Sequence, residues 1–379
     1  MKIVTAIDSF KGSMTSIEAG NAVAEGFKRA YPNVEVVVRP LADGGEGTVE
    51  ALVEGMKGQQ ENVEVTGPFN KRVNCTYGII KESMTAVIEM SGAAGITLAA
   101  KSELNPLNAT TYGVGEVIKD AIAKGCRRFI VGIGGSATND GGVGMLQALG
   151  FDFLDRNGSQ IQPGAKGLKE LDKITDEHVT PELKDCKFLV ACDVTNPLCG
   201  PDGCSAVFSP QKGATPSMIS DMDKWLGSYA DMAKKLYPNA DAKYPGTGAA
   251  GGMGFAFLTF LHAELHPGID IVLEETKLEE YIKDANLVVT GEGMLDFQTA
   301  MGKAPIGVAK LAKKYSKPVI AFAGGVTPDA RVCNEKGIDA FFPIVRGITT
   351  LEEAMVNENA KKNLADTAEQ VMRLYTAGT

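Results

Sequence analysis

MKIVTAIDSFKGS, residues 1–13, carries a short apolar, β-branched run that stops at Asp8. The run reads as a buried strand and is too short for a membrane span or a secretory leader. Helical periodicity begins beyond it, with Thr15 and Glu18 at the spacing of a capping box. VEVVVRP (34–40) leads through LADGG into TVEALVEGM and repeats the strand, loop and helix. The pattern returns in NLVVTGEG (286–293), PVIAFAGG (318–325) and AFFPIVRG (340–347), each followed by a helical segment. Five such units predict an α/β fold with a doubly wound parallel sheet of strand order 2-1-3-4-5.

Between the second and third units the pattern changes. ENVEVTGPF, RVNCTYGII and TAVIEMSG alternate in polarity and are separated by turn residues, so they read as antiparallel strands. RRFIVGI and KFLVACDV read as further buried strands, with helices over about 108–124 and 142–149. The expected organisation is therefore one domain from 1–60 and 285–379, interrupted by a mixed α/β domain at 61–284.

Composition narrows the function classes. The chain has 379 residues, 44% apolar and 22% charged, which suits two ordered globular domains. A net charge of -9 argues against nucleic acid or an anionic membrane as partner and leaves small molecules. A cytoplasmic location is expected, with the seven cysteines, none in a CxxC pair, reduced and mostly buried. His262 and His266 do not form HExxH, and Pro267 is expected to stop their helix. Only His178 remains, which disfavours a Ser-His-Asp hydrolase.

Ligands of open α/β sheets bind beyond the carboxyl ends of the strands, where this sequence places Asp8, Ser9, Lys11, Asp43, Glu292 and Arg346. GIGGSATNDGG (132–142) follows a strand and precedes an apolar helical run, an arrangement able to aim backbone N–H groups at an anion. Gly132, Gly134 and Ala137 also match a dinucleotide fingerprint, with Asp152 or Asp155 near the place of a ribose-binding acid. Asp140 would repel bare pyrophosphate, so a triphosphate with magnesium fits better, although no Walker A motif is present. GTGAAGGMGFAF (246–257) serves either phosphate approach or helix packing. TGEGMLDFQTAMGKAP (290–305) joins Glu292, Asp296, Gln298, Thr299 and Lys303 in one loop, its acids and lysine suited to a metal and a phosphoryl group. ACDVTNPLCG ends a buried strand in Asp193, a candidate base, metal ligand or turn cap. On residues alone, phosphoryl transfer competes with a nicotinamide- or flavin-dependent oxidoreductase and with a non-catalytic small-acid binding protein.

Taken together, IDSFKGS, PLADGGEGT, GIGGSATNDGG, CDVTNPL, VFSPQKGA, GAAGGMG and TGEGMLDFQT with GKAP resemble the type I glycerate kinases, in order and over nearly the full length. The resemblance implies a flavodoxin-like domain interrupted by a second α/β domain of restriction-endonuclease-like topology. It also implies ATP with Mg²⁺, D-glycerate as acceptor and 2-phosphoglycerate as product. Under it, the phosphates fall to Gly134, Gly135, Ser136, Thr138, Asn139, Gly141 and Gly142, and the metal to one or more of Asp193, Glu292 and Asp296. Asp193 is the expected base, with Asp8 next, and Lys303 offsets charge in the transition state. Ser9, Lys11, Asp43 and Arg346 are the expected acceptor ligands.

Overall fold

The computed structural model describes residues 1–42 and 47–377. Its strands, in chain order, are β1 (Lys2–Ile7), β2 (Glu35–Pro40), β3 (Gln59–Thr66), β4 (Arg72–Ile80), β5 (Thr85–Glu89), β6 (Arg128–Gly132), β7 (Asp152–Leu154), β8 (Lys173–Thr175), β9 (Lys187–Ala191), β10 (Glu264–His266), β11 (Leu287–Leu295), β12 (Val319–Val326) and β13 (Ala340–Pro343). The chain gathers into two compact units. One holds residues 1–42, Glu50–Met56 and the chain from Ile269 onward; the other holds residues 47–49 and Lys57–Gly268.

The first unit is built on a parallel sheet in the order β13-β12-β11-β1-β2, which is 2-1-3-4-5 when its strands are counted along the chain. β1 lies between two neighbours, so every residue after Lys2 is buried, and its sequence is apolar without alternation. The helix Ser16–Ala30 starts on the expected capping box, Thr15 accepting from the Glu18 amide and Glu18 from that of Thr15. Ile3, Ile7, Val23, Phe27, Val289, Phe322, Leu364 and Met372 share one core.

The second unit contains a six-stranded sheet in the order β10-β9-β6-β5-β4-β3. β3, β4 and β5 pair antiparallel, as their alternation requires, while β5, β6, β9 and β10 run parallel. This unit ends at Gly268, short of the expected 284. The cause is packing: Ile269 lies so close to Gly307 that a Cβ there would meet its Cγ1 at 2.4 Å, and Tyr315 donates to Glu279 at 2.6 Å. The helix Ala249–Phe260 ends before the histidines; His262 has a positive φ of 50° and His266 lies in β10, so the expected helical His pair and its Pro267 stop are not realised. All seven cysteines are free thiols.

The glycines of 246–257 are explained here. Ala250, Gly251 and Gly252 all take left-handed conformations, and the Gly251 carbonyl accepts from the Gly141 amide at 2.9 Å. A Cβ on Gly251 would stand 2.1 Å from the Thr138 carbonyl, and one on Gly252 2.7 Å from the Gly141 Cα. The two glycine-rich segments therefore touch backbone to backbone. Gly252→Ala is expected to cost roughly 1–3 kcal/mol, read as a lower Tm. Gly227→Ala, at a helix position with nothing within 4 Å of the added carbon, is expected to gain up to about 1 kcal/mol. Equal melting temperatures for the two variants would contradict this reading.

Candidate functional site

In the first unit, the carboxyl ends of β1 and β11 converge. The Asp8 amide donates to the Gly291 carbonyl at 2.9 Å, and the Ser9 amide donates to Asp8 Oδ1 at 2.7 Å. Asp8 is thereby held buried at the strand end, with Ser9 half-buried beside it. The Lys11 side chain is exposed, and its backbone amide lies beside Gly293 of β11.

Glu292 and Asp296 meet through one residue. Thr299 Oγ1 donates to Glu292 Oε1 at 2.6 Å, and the Thr299 amide donates to Asp296 Oδ1 at 3.0 Å. Asp296 is the N-cap of the turn Phe297–Ala300, while Lys303 is the N-cap of the helix Ala304–Lys314 and its amide donates to the Thr299 carbonyl. A buried Thr299 thus organises two acids and a base in one loop. Thr299 is one of the residues the sequence joins in this loop, but its role as the link between the two acids is visible only once the loop has closed. Arg346 follows β13 as expected, with its side chain engaged by an acid. Its guanidinium is committed to Asp366 at 2.7 Å, a carboxylate shared with Arg29, and so pins the chain after β13 to the helix Asn357–Thr376. Asp43 lies outside the described residues.

In the second unit the parallel strands end at Glu89, Gly132, Ala191 and His266. Asp193 follows β9, is exposed, and its Oδ1 accepts from the Gly268 amide at 2.9 Å, which ties the loops after β9 and β10. Glu89, not singled out from sequence, accepts from the Val49 amide at 2.8 Å.

The loop after β6 divides in two. Gly134 and Gly135 are exposed, and the Gly135 carbonyl accepts from Ile96. Thr138, Asn139 and Asp140 are each no more than 1% exposed. Asp140 is a staple: it accepts from the Thr111 amide at 2.8 Å, the Thr111 hydroxyl at 2.9 Å, and the amides of Gly142 and Gly144. Burial pushes its carboxyl up, against those four donors, which favour the charged form. Asn139 donates to Ser205 Oγ at 2.8 Å. The expectation that Thr138, Asn139, Gly141 and Gly142 reach a ligand thus meets a buried arrangement in which Asn139 Nδ2 and the Gly141 and Gly142 amides already have partners within the unit. Thr138 Oγ1 and Asn139 Oδ1 find no partner among the described residues.

The acids near the ribose-binding distance serve a hairpin instead. Asp155 accepts from the Asn157 and Ser159 amides, and Asp152 from Thr175 and beside His178 at 2.6 Å. Beneath the loop sits a lysine that spacing gave no reason to choose. Lys212, 1% exposed, donates to Ser136 Oγ at 2.7 Å and to the Thr138 carbonyl at 2.6 Å. Burial lowers its pKa to about 8, partly offset by Cys204 and Asp140.

Polar side chains and a glycine turn at the carboxyl ends of parallel strands are the setting of a small-molecule site in an α/β protein. The chain belongs to the glycerate kinase family, whose model matches residues 3–376. It is 47% identical to a glycerate 2-kinase of Escherichia coli K12, covering 98% of this chain and 99% of that one. It is also 47% identical to a glycerate kinase of Bacillus subtilis 168, covering 98% and 97% respectively. A crystal structure described as a glycerate kinase 2 from Salmonella typhimurium LT2 superposes with a TM-score of 0.92 at 46% identity, covering 100% of this chain and 99% of that one. The oxidoreductase and binding-protein readings find no support in these relatives.

Asp140→Asn exchanges an acceptor of four bonds for a side chain with a donor face turned toward donors. The expected cost is roughly 2–4 kcal/mol, measured as a lower Tm. An unchanged Tm would show that the staple is not needed.

Proposed function

We propose that this protein transfers the γ-phosphoryl group of ATP to D-glycerate, giving 2-phosphoglycerate and ADP, with Mg²⁺ as the assisting ion. The observation that carries the reading is the full-length match to glycerate kinases at 47% identity. The strand-end residues supply chemistry consistent with it.

Phosphoryl transfer asks a protein mainly for positioning and charge neutralisation. The exposed Gly134 and Gly135 turn receives nucleotide phosphate oxygens through backbone amides, with Ser136 at its edge. Thr138, Asn139, Gly141 and Gly142 hold that turn in place. In the first unit, Lys11 faces the acceptor carboxylate, with Ser9 as a neutral partner for a hydroxyl. Asp193 is the leading candidate for the general base, with Asp8 the second, and Lys303 is the candidate for offsetting phosphoryl charge.

Glu292 and Asp296 suit a hard cation, since two carboxylates share Thr299 between them. Among the described residues no group of three or more His, Cys, Asp and Glu side chains comes together around a possible metal site. Two carboxylates plus substrate phosphates is an ordinary Mg²⁺ donor set, so the residues fit the ion. Bound there, Mg²⁺ would neutralise phosphate charge.

The test is ADP release from ATP with D-glycerate, with and without Mg²⁺, and assignment of the product by phosphorus and proton NMR. Mg²⁺-dependent 2-phosphoglycerate is expected; 3-phosphoglycerate would overturn the acceptor assignment, and absence of ADP would overturn the kinase reading. Asp193→Asn is expected to lower kcat by about 10²-fold or more. Glu292→Gln is expected to raise the Mg²⁺ concentration for half-maximal rate by roughly tenfold. Near-full turnover in Asp193→Asn would remove that residue from the base role.

A further inference from the structure

We infer that Lys212 is the positioning residue of the phosphate-binding turn, holding Gly134 and Gly135 in their receptive geometry through Ser136 and the Thr138 carbonyl. The inference rests on the nucleotide role proposed for that turn. It extends it to a residue that touches no substrate.

The geometry is specific. Lys212 ends the short turn Pro210–Lys212, and Gly213 follows with a left-handed φ of 90°. Its ammonium reaches two points of one loop, Ser136 Oγ at 2.7 Å and the Thr138 carbonyl at 2.6 Å, on the buried side directly after the exposed glycines. Ser136 is 7% exposed and forms a bridge with Gly95, so the lysine fixes a residue that is itself anchored.

The cost of that arrangement argues for a use. A fully buried ammonium loses hydration that two neutral acceptors restore only in part, and Lys212 has no ion pair among the described residues. A leucine or methionine would fill the volume without that cost. The ammonium does what an apolar side chain cannot: it sets a loop carbonyl and hydroxyl, and it places a positive charge behind a turn meant for phosphates.

The charge also titrates. Facing Lys212 are Asp140, from the same loop, and Cys204, from the helix Cys204–Phe208, whose thiol burial pushes up to about 12. Lys212 itself loses its proton near pH 8, so its charge is present below that pH and lost above it. In stability terms the lowered pKa means the unfolded chain binds more protons between about 8 and its ordinary 10.5. Over that window this group's contribution to stability rises with pH.

The experiment compares wild type, Lys212→Met, Lys212→Arg and Ser136→Ala by calorimetric ATP binding, by kcat/KM for ATP and for glycerate, and by pH profile, after melting curves establish folding. Lys212→Met is expected to weaken ATP binding at least tenfold and kcat/KM for ATP by about 10²-fold, with the glycerate KM within about twofold. Wild type is expected to lose kcat/KM for ATP as pH rises above about 8, and that decline should be missing from the Lys212→Met profile. Ser136→Ala should lose at least fivefold alone and add nothing when combined with Lys212→Met in a further, doubly substituted variant. If Lys212→Met does not fold, Ser136→Ala and Lys212→Arg decide the matter through ATP affinity. Folded variants with wild-type ATP affinity and pH profile would overturn the inference. Wild type that binds ATP without phosphorylating glycerate would overturn the kinase reading, while the variants' ATP affinities still decide the role of Lys212. Wild type that binds no ATP would overturn both.

Discussion

The contact of two glycine-rich backbones in the second unit is the constraint from which the rest of the candidate site follows. Gly141 donates to the Gly251 carbonyl, Gly252 abuts the Gly141 Cα, and no side chain could be inserted between them. The loop after β6 is therefore closely packed along residues 138–142, and Asp140 completes the clamp by accepting from Thr111, Gly142 and Gly144. Only the preceding turn, Gly134 and Gly135, is left at the surface. A rigid buried half and an exposed half are what a preorganised anion site requires, since ordering costs are met in folding and not on binding.

The first unit applies a different device. There the close fit of β1 and β11 is secured by backbone hydrogen bonds, and a single threonine sets two carboxylates. The acids stay close because Thr299 offers both a hydroxyl and an amide, and the same loop returns Lys303 as the cap of the next helix. Charge is concentrated at one strand end, in line with a task of neutralising phosphate and cation together.

Much of this was legible in the sequence, for identifiable reasons. Strand β1 and its helix announced themselves by an apolar run ending at Asp8 and by a local capping box, and local signals survive without tertiary context. Asp8, Glu292, Asp296 and Asp193 were readable as strand-end acids because an α/β sheet puts such positions at one edge. Lys212 was not, since nothing in QKG distinguishes a fully buried lysine from a solvated one, and its neighbour Ser136 is 76 residues away. Arg346 was placed by the same strand-end rule, but its pairing with Asp366 was not legible, because Asp366 belongs to a helix that spacing alone could not dock. The boundary near 268 escaped for a similar reason: the affinity of Ile269 for the helix at Gly307 is a long-range packing preference.

The central claim is that the exposed turn receives nucleotide phosphate while the rest of the loop is a rigid brace. Amide hydrogen exchange resolved to single residues, with and without ATP and Mg²⁺, tests it most directly. The account predicts strong protection of the Gly141, Gly142 and Gly144 amides in the free protein, little changed by nucleotide, and fast exchange at Gly134 and Gly135 that slows when ATP is added. Rapid exchange at Gly141–Gly144 in the free protein, or no change at Gly134 and Gly135 under saturating ATP, would contradict it.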